Sequence, residues 1–214
     1  ISLFIVIAVG MLIWFYRADF GQNKGLAFGV TFSQKYASEL NLDWRQTILA
    51  MLDELKVREF RLVGYWDILE PVEGKYEFTD LDWQINEVAK RGGRIILALG
   101  HRVPRWPECH WPGWIYRVSN EERQRRVLEL IAAVIYRYRG NEAIIGWQID
   151  NEPFLKIFGE CPPLAKQDYQ QEVSLARSLD SRPIIVTESG ELSTWLNGGK
   201  FGDQIGTSVY RVTW

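Results

Sequence analysis

The chain has 214 residues, 47% of them hydrophobic, and a formal net charge of −2. That composition suits one globular domain and argues against a nucleic-acid partner, which would need a basic patch. The only cysteines, Cys109 and Cys161, do not have metal-ligand spacing, and neither a metal nor another cofactor is expected. Ten Trp, nine Tyr and ten Phe either fill a large core or line a groove for a ligand with flat apolar faces, such as a sugar ring.

Residues 1–16 are almost wholly apolar and Arg17 ends the run. A membrane span needs ~20 apolar residues, about 17 at the short end. A small-x-small cleavage site is absent around Tyr16-Arg17-Ala18-Asp19. The expectation is a signal-anchor or transmembrane segment in residues 1–20, with the membrane as a partner. Residues 21–214 would then be a membrane-anchored, extracytoplasmic catalytic domain. A cleaved signal peptide and a buried helix are the alternatives.

Strands and helices then alternate. Residues 25–32 read as a first strand. Asp43 can cap a helix whose apolar residues Trp44, Ile48, Leu52 and Leu55 share one face. Residues 57–65 read as a second strand, and Thr79 can cap a helix through Leu81, Ile85, Val88 and Ala89 that ends near Gly92. Residues 94–99 form a third strand. Ser119 and Glu122 have capping-box spacing before a helix carrying Val127, Leu130, Ile131, Val134, Ile135 and Tyr138, which Gly140 stops. Residues 143–149 are the fourth strand, a helix with Val173, Ala176 and Leu179 follows, and residues 183–187 and 205–210 are the fifth and sixth strands.

Apolar strands separated by amphipathic helices mean a parallel sheet in an α/β fold. An open doubly wound sheet competes with a closed barrel of eight βα units. The turn Thr31-Phe32-Ser33-Gln34-Lys35 contains no glycine, which removes the phosphate loop that commonly explains the open sheet. The expected fold is therefore a (β/α)8 TIM barrel. With six units, where a full barrel takes ~250 residues, it is expected to be truncated after the sixth strand.

Polar residues gather where strands end. Trp66, Asp67 and Glu70 follow strand two, and His101 and Arg102 follow strand three. Asn151 and Glu152 follow strand four, Glu188 follows strand five, and Tyr210 and Arg211 end strand six. Barrel enzymes build their active sites at these C-terminal ends.

The segment Trp147-Gln148-Ile149-Asp150-Asn151-Glu152-Pro153 puts an Asn-Glu pair on the tip of an apolar strand. Phe60-Arg61-Leu62 is followed by Trp66 and by Glu70-Pro71-Val72-Glu73-Gly74-Lys75-Tyr76-Glu77-Phe78. Together these stretches resemble the clan A glycoside hydrolases, the β-glycosidases of the cellulase and β-galactosidase type, from Gly25 to the end of the chain. Pro104-Arg105-Trp106-Pro107-Glu108-Cys109-His110 is similar to the third loop of bacterial members. The resemblance implies that Glu152 is the general acid/base, that Asn151 binds the sugar hydroxyl beside the reacting carbon, and that Arg61 orients the nucleophile. In this clan the nucleophile is a Glu ending strand seven, which is not in this chain. A glycosidic oxygen is a poor leaving group that a positioned carboxylic acid must protonate, so the residue types suit the chemistry.

Glu188 imitates the nucleophile pattern but falls on strand five. Either it is the nucleophile after all or it lines the site and binds substrate. His101 would hold a sugar hydroxyl or be a buried histidine bonded to backbone. Tyr210 matches loosely a strand-six tyrosine of related enzymes, and Trp66 and Trp106 would be sugar platforms or core. The reading is a retaining glycoside hydrolase acting on β-linked oligo- or polysaccharides. A non-catalytic glycan-binding barrel without its nucleophile is the alternative. A barrel lyase or aldolase would want a lysine or metal ligands at strand tips, and only Lys35 comes near one. Outside the cytoplasm a Cys109–Cys161 bridge would be allowed, since both cysteines fall in neighbouring loops; two free thiols are the alternative.

Overall fold

The computed structural model describes residues 2–17, 25–190 and 192–208. In chain order the helices are α1 (Ser2–Arg17), α2 (Gln34–Glu39), α3 (Trp44–Asp53), α4 (Trp66–Leu69), α5 (Thr79–Lys90), α6 (Asn120–Tyr138), α7 (Lys166–Leu179) and α8 (Gly198–Phe201). The strands are β1 (Val30–Thr31), β2 (Glu59–Val63), β3 (Arg94–Leu99), β4 (Ile144–Ile149), β5 (Ile184–Ser189) and β6 (Gln204–Ser208). They form one parallel sheet in the order β1-β2-β3-β4-β5-β6. A doubly wound sheet reverses its strand order at a switch point. Here every strand lies beside its predecessor in sequence, which is the order of a (β/α)8 barrel.

Side chains alternate across the strands and sort the sheet into two faces. Phe60, Leu62, Ile95, Leu97, Leu99, Trp147, Ile149, Ile184 and Val186 point outward and join one core cluster with α3, α5, α6 and α7. From α6 that cluster takes Val127, Leu130, Ile131, Val134 and Ile135. The intervening positions, among them Arg61, Gln148 and Thr187, face inward and can carry polar groups without disturbing the helical layer.

The helix starts are made locally. Asp43 Oδ1 accepts from Arg45 N at 2.8 Å and Gln46 N at 3.1 Å, and Ser119 Oγ accepts from Glu122 N at 3.2 Å. Asp43→Ala should cost ~1 kcal/mol; an unchanged urea midpoint would show that this cap adds nothing. Thr79, expected as a cap, is instead the first residue of α5, and Phe78 before it makes no side-chain cap bond. Leu55, expected on the buried face, lies beyond α3 and is exposed.

The expected membrane segment is corrected. The α1 helix has 16 residues, a rise of about 24 Å against the ~30 Å of a bilayer's hydrocarbon core. Among the described residues no helix is long and apolar enough to cross a membrane. The transmembrane and signal-anchor assignments, and the membrane-anchored, extracytoplasmic location built on them, are withdrawn.

Candidate active site

Inward-facing side chains and the loops beyond the strands enclose a cleft of about 690 Å³ at the C-terminal ends of the strands. Its wall includes Arg61 from β2, Glu108 from the loop after β3, Asn151 and Glu152 from the tip of β4, Thr187 from β5 and Ser208 from β6. Trp106 and Phe158, 56% and 48% exposed, meet edge to face at its mouth with ring centroids 5.6 Å apart.

Strict alternation would send Asn151 and Glu152 to opposite faces. The chain avoids this through left-handed backbone at Asp150 (φ 57°) and Glu152 (φ 45°), a conformation costly for residues with a Cβ. The turn is pinned by hydrogen bonds: Glu152 N donates to Thr187 Oγ1 at 2.9 Å and Asn151 N donates to Arg102 O at 3.0 Å. Ser208 Oγ donates to Glu152 Oε1 at 2.8 Å. Asn151 Nδ2 donates to Glu108 Oε1 at 2.8 Å, while Asn151 Oδ1 accepts from Gln148 Nε2 at 3.3 Å. Below them, Arg61 donates from Nε to Thr31 Oγ1 at 2.9 Å and from Nη1 to Gln148 Oε1 at 3.1 Å.

Behind the tip lies a pair of buried carboxyls. Burial raises Asp150 from the usual 3.8 to about 6 and lifts Glu172 on α7 well above its ordinary range, with the Asp150 charge lifting Glu172 further. Asp150 Oδ1 accepts from Arg102 N at 2.9 Å, and Gln124 Nε2 donates to Glu172 Oε1 at 3.1 Å. Asp150 Oδ2 and Glu172 Oε2 find no donor among the described residues, as expected of two carboxyls sharing a proton. The folded chain binds protons at both carboxyls more tightly than the unfolded chain does. The contribution of Asp150 to stability is therefore full below its unfolded value and is lost as pH rises through about 6, while the proton then shared with Glu172 is retained to higher pH. Urea titrations should show Asp150→Asn losing less stability than the parent between about pH 4 and 7. Parallel curves would end that account.

Three residues expected at the site are placed elsewhere. Trp66 is 1% exposed, buried in the helical layer with its Nε1 on Glu70 Oε2 at 2.8 Å. His101 packs edge to face on Trp111 at 4.7 Å, and burial, with Arg123 and Arg102 nearby, holds its imidazole neutral by lowering it to about 3. Glu188 follows the outward parity of Val186, accepting from Gly198 N at 2.8 Å and Ser193 Oγ at 2.5 Å, with Thr187 taking the cleft position. Tyr210 lies outside the described residues. Arg61, Asn151 and Glu152 do come together in the cleft. Glu108, Thr187 and Ser208 are additions. Parity along β5 was enough to find Thr187, whereas nothing local marks Ser208.

The disulfide left open by the sequence is formed: Cys109 and Cys161, 52 residues apart, join the loops after β3 and β4.

Residues 36–125 match the family model of the glycoside hydrolase 42 β-galactosidases. The β-galactosidase BgaA of Clostridium cellulovorans is 32% identical over 165 residues, 68% of this chain and 25% of that protein. The β-galactosidase LacZ of Lactobacillus acidophilus is 30% identical over 105 residues, 41% of this chain and 16% of that protein. The chain belongs to the clan A glycoside hydrolases.

Solved structures agree with this clan A assignment at the level of fold. A β-galactosidase from Halorubrum lacusprofundi superposes with a TM-score of 0.62 at 15% identity, covering 86% of this chain and 40% of that one. An endo-β-1,4-xylanase from Gloeophyllum trabeum gives 0.63 at 14% identity, covering 85% and 61%. The clan A chain thus spans about a quarter or less of the length of these two curated relatives.

Proposed function

We propose that the cleft binds β-linked glycosides and that Glu152 is the general acid/base of a retaining double displacement. The observation that carries this reading is the side-by-side placement of Asn151 and Glu152 in one cleft, achieved against the alternation of the strand. In the first step Glu152 donates its proton to the glycosidic oxygen as the bond to the leaving group breaks and a carboxylate attacks the sugar carbon from the opposite face. In the second, Glu152 takes a proton from water, which displaces that carboxylate. Clan resemblance assigns the nucleophile to a Glu ending a seventh strand. Asn151 would bind the hydroxyl beside the reacting carbon, and Arg61, beneath both, would hold the nucleophile. The exposed faces of Trp106 and Phe158 suit the apolar faces of a sugar at the mouth.

β-D-Galactosides are the first substrates to try, because the family model and the curated relatives carry that name. The test offers 4-nitrophenyl β-glycosides to the full-length protein and follows the product's anomeric configuration. Turnover with retention is expected. Inversion would refute double displacement, and saturable binding of oligosaccharides without turnover would favour a non-catalytic glycan-binding barrel.

A further inference from the structure

Glu108 is 2% exposed, yet its carboxylate is a wall of the cleft. It stands in left-handed backbone (φ 71°) beside the disulfide cysteine Cys109, and Glu160 N donates to Pro107 O at 2.9 Å one residue earlier. One oxygen, Oε2, takes a short hydrogen bond from the buried Arg102 guanidinium. That guanidinium also donates to Leu155 O at 2.6 Å and Phe158 O at 2.9 Å, so Glu108 is fixed to the loop after β4 as well as to its own. The other oxygen, Oε1, accepts from Asn151 Nδ2.

An ionised carboxylate only accepts hydrogen bonds, whereas an amide has a donating end and an accepting end. Glu108 on one side and Gln148 Nε2 on the other therefore allow the Asn151 amide a single orientation. Only one of the two Nδ2 hydrogens is used by Glu108. We propose that Glu108 is a positioning residue that sets the Asn151 amide so that its second N–H meets the hydroxyl beside the reacting carbon of a bound glycoside. This rests on the glycosidase reading above.

The test compares 4-nitrophenyl β-D-galactoside and β-D-glucoside with their 2-deoxy counterparts in the full-length protein and its Glu108→Gln variant. The readout is the ratio of kcat/KM on the hydroxylated substrate to that on the deoxy substrate, which is independent of the fraction of protein folded. Glu108→Gln leaves Arg102 buried without its counter-charge. The double variant Arg102→Met/Glu108→Leu removes both charges and the acceptor facing Asn151, and serves as the second probe.

The parent should prefer the hydroxylated substrate by roughly a thousandfold, since bonds to this hydroxyl strengthen in the transition state. Both variants should shrink that preference about 10- to 100-fold, the worth of one well-aimed bond. Adding Asn151→Ala should then change it little. An unchanged preference in the variants, with both substrates slowed alike, would make Glu108 merely structural and overturn the proposal alone. A parent that turns over neither substrate, or shows no preference, would overturn the glycosidase reading and the proposal with it.

Discussion

Glu152→Gln in the full-length protein should slow hydrolysis of glycosides with poor leaving groups by about a thousandfold, within the 10²–10⁴ range of a lost general acid. Activated aryl glycosides should lose far less in their first step, because their leaving groups depart with little help from a proton. The substitution is nearly isosteric. Ser208 Oγ, which now donates to Glu152 Oε1, can still donate to the glutamine carbonyl, so the cleft should keep its shape. The measurement is a plot of kcat/KM against leaving-group pKa for parent and variant. A steeper slope in the variant is expected, and parallel lines would remove Glu152 from the acid role.

Breaking the disulfide should have the largest effect on stability. The bridge closes a loop with a sequence separation of 52, and chain entropy over such a loop puts its contribution at about 4 kcal/mol. In a domain of this size that corresponds to a fall in Tm of roughly 8–16 °C. Cys109→Ser and Cys161→Ser should each show it under non-reducing conditions, and reducing the parent should reproduce it. A Tm within about 2 °C of the parent would mean that the surrounding bonds already hold these loops. Among those bonds are Glu160 N to Pro107 O and the Arg102 contacts to Leu155 and Phe158.

How far the sequence could be read depended on the range of each signal. Strand β3 falls on the residues predicted, 94–99, because an apolar run bounded by glycine is a local pattern. The Asp43 and Ser119 caps were equally local. The first strand, predicted over 25–32, is only Val30–Thr31, since a strand ends where its neighbour stops pairing and not where its own residues do. The membrane segment is overturned because, among the described residues, no helix is long and apolar enough to cross a membrane. At the site, Arg61, Asn151 and Glu152 were recognisable from strand position and resemblance. For Trp66 and His101 the sequence left cleft and core open, and both are buried, because a tip residue can turn back into the helical layer. The partners of the β4 tip were the hardest to see. Glu108 reaches Asn151 across 43 residues of sequence, and Ser208 reaches Glu152 across 56. No pattern within either segment specifies those meetings.

The strand order bears on how the protein is made. Because each strand hydrogen-bonds to the one before it in the chain, a ribosome delivers every strand to a partner that has already emerged. Among the six described strands, growth is then an accretion of βα units, and no pairing between them requires an early strand to wait for a late one. The disulfide is the exception. Cys109 must remain a free thiol until Cys161 has been synthesised, through the whole of α6 and β4. During that interval the β4 tip with Asn151 and Glu152 emerges without the covalent brace between its loop and the loop after β3. Premature capture of Cys109, by glutathione or by another chain, is thus the error to which this order of synthesis leaves the protein most open.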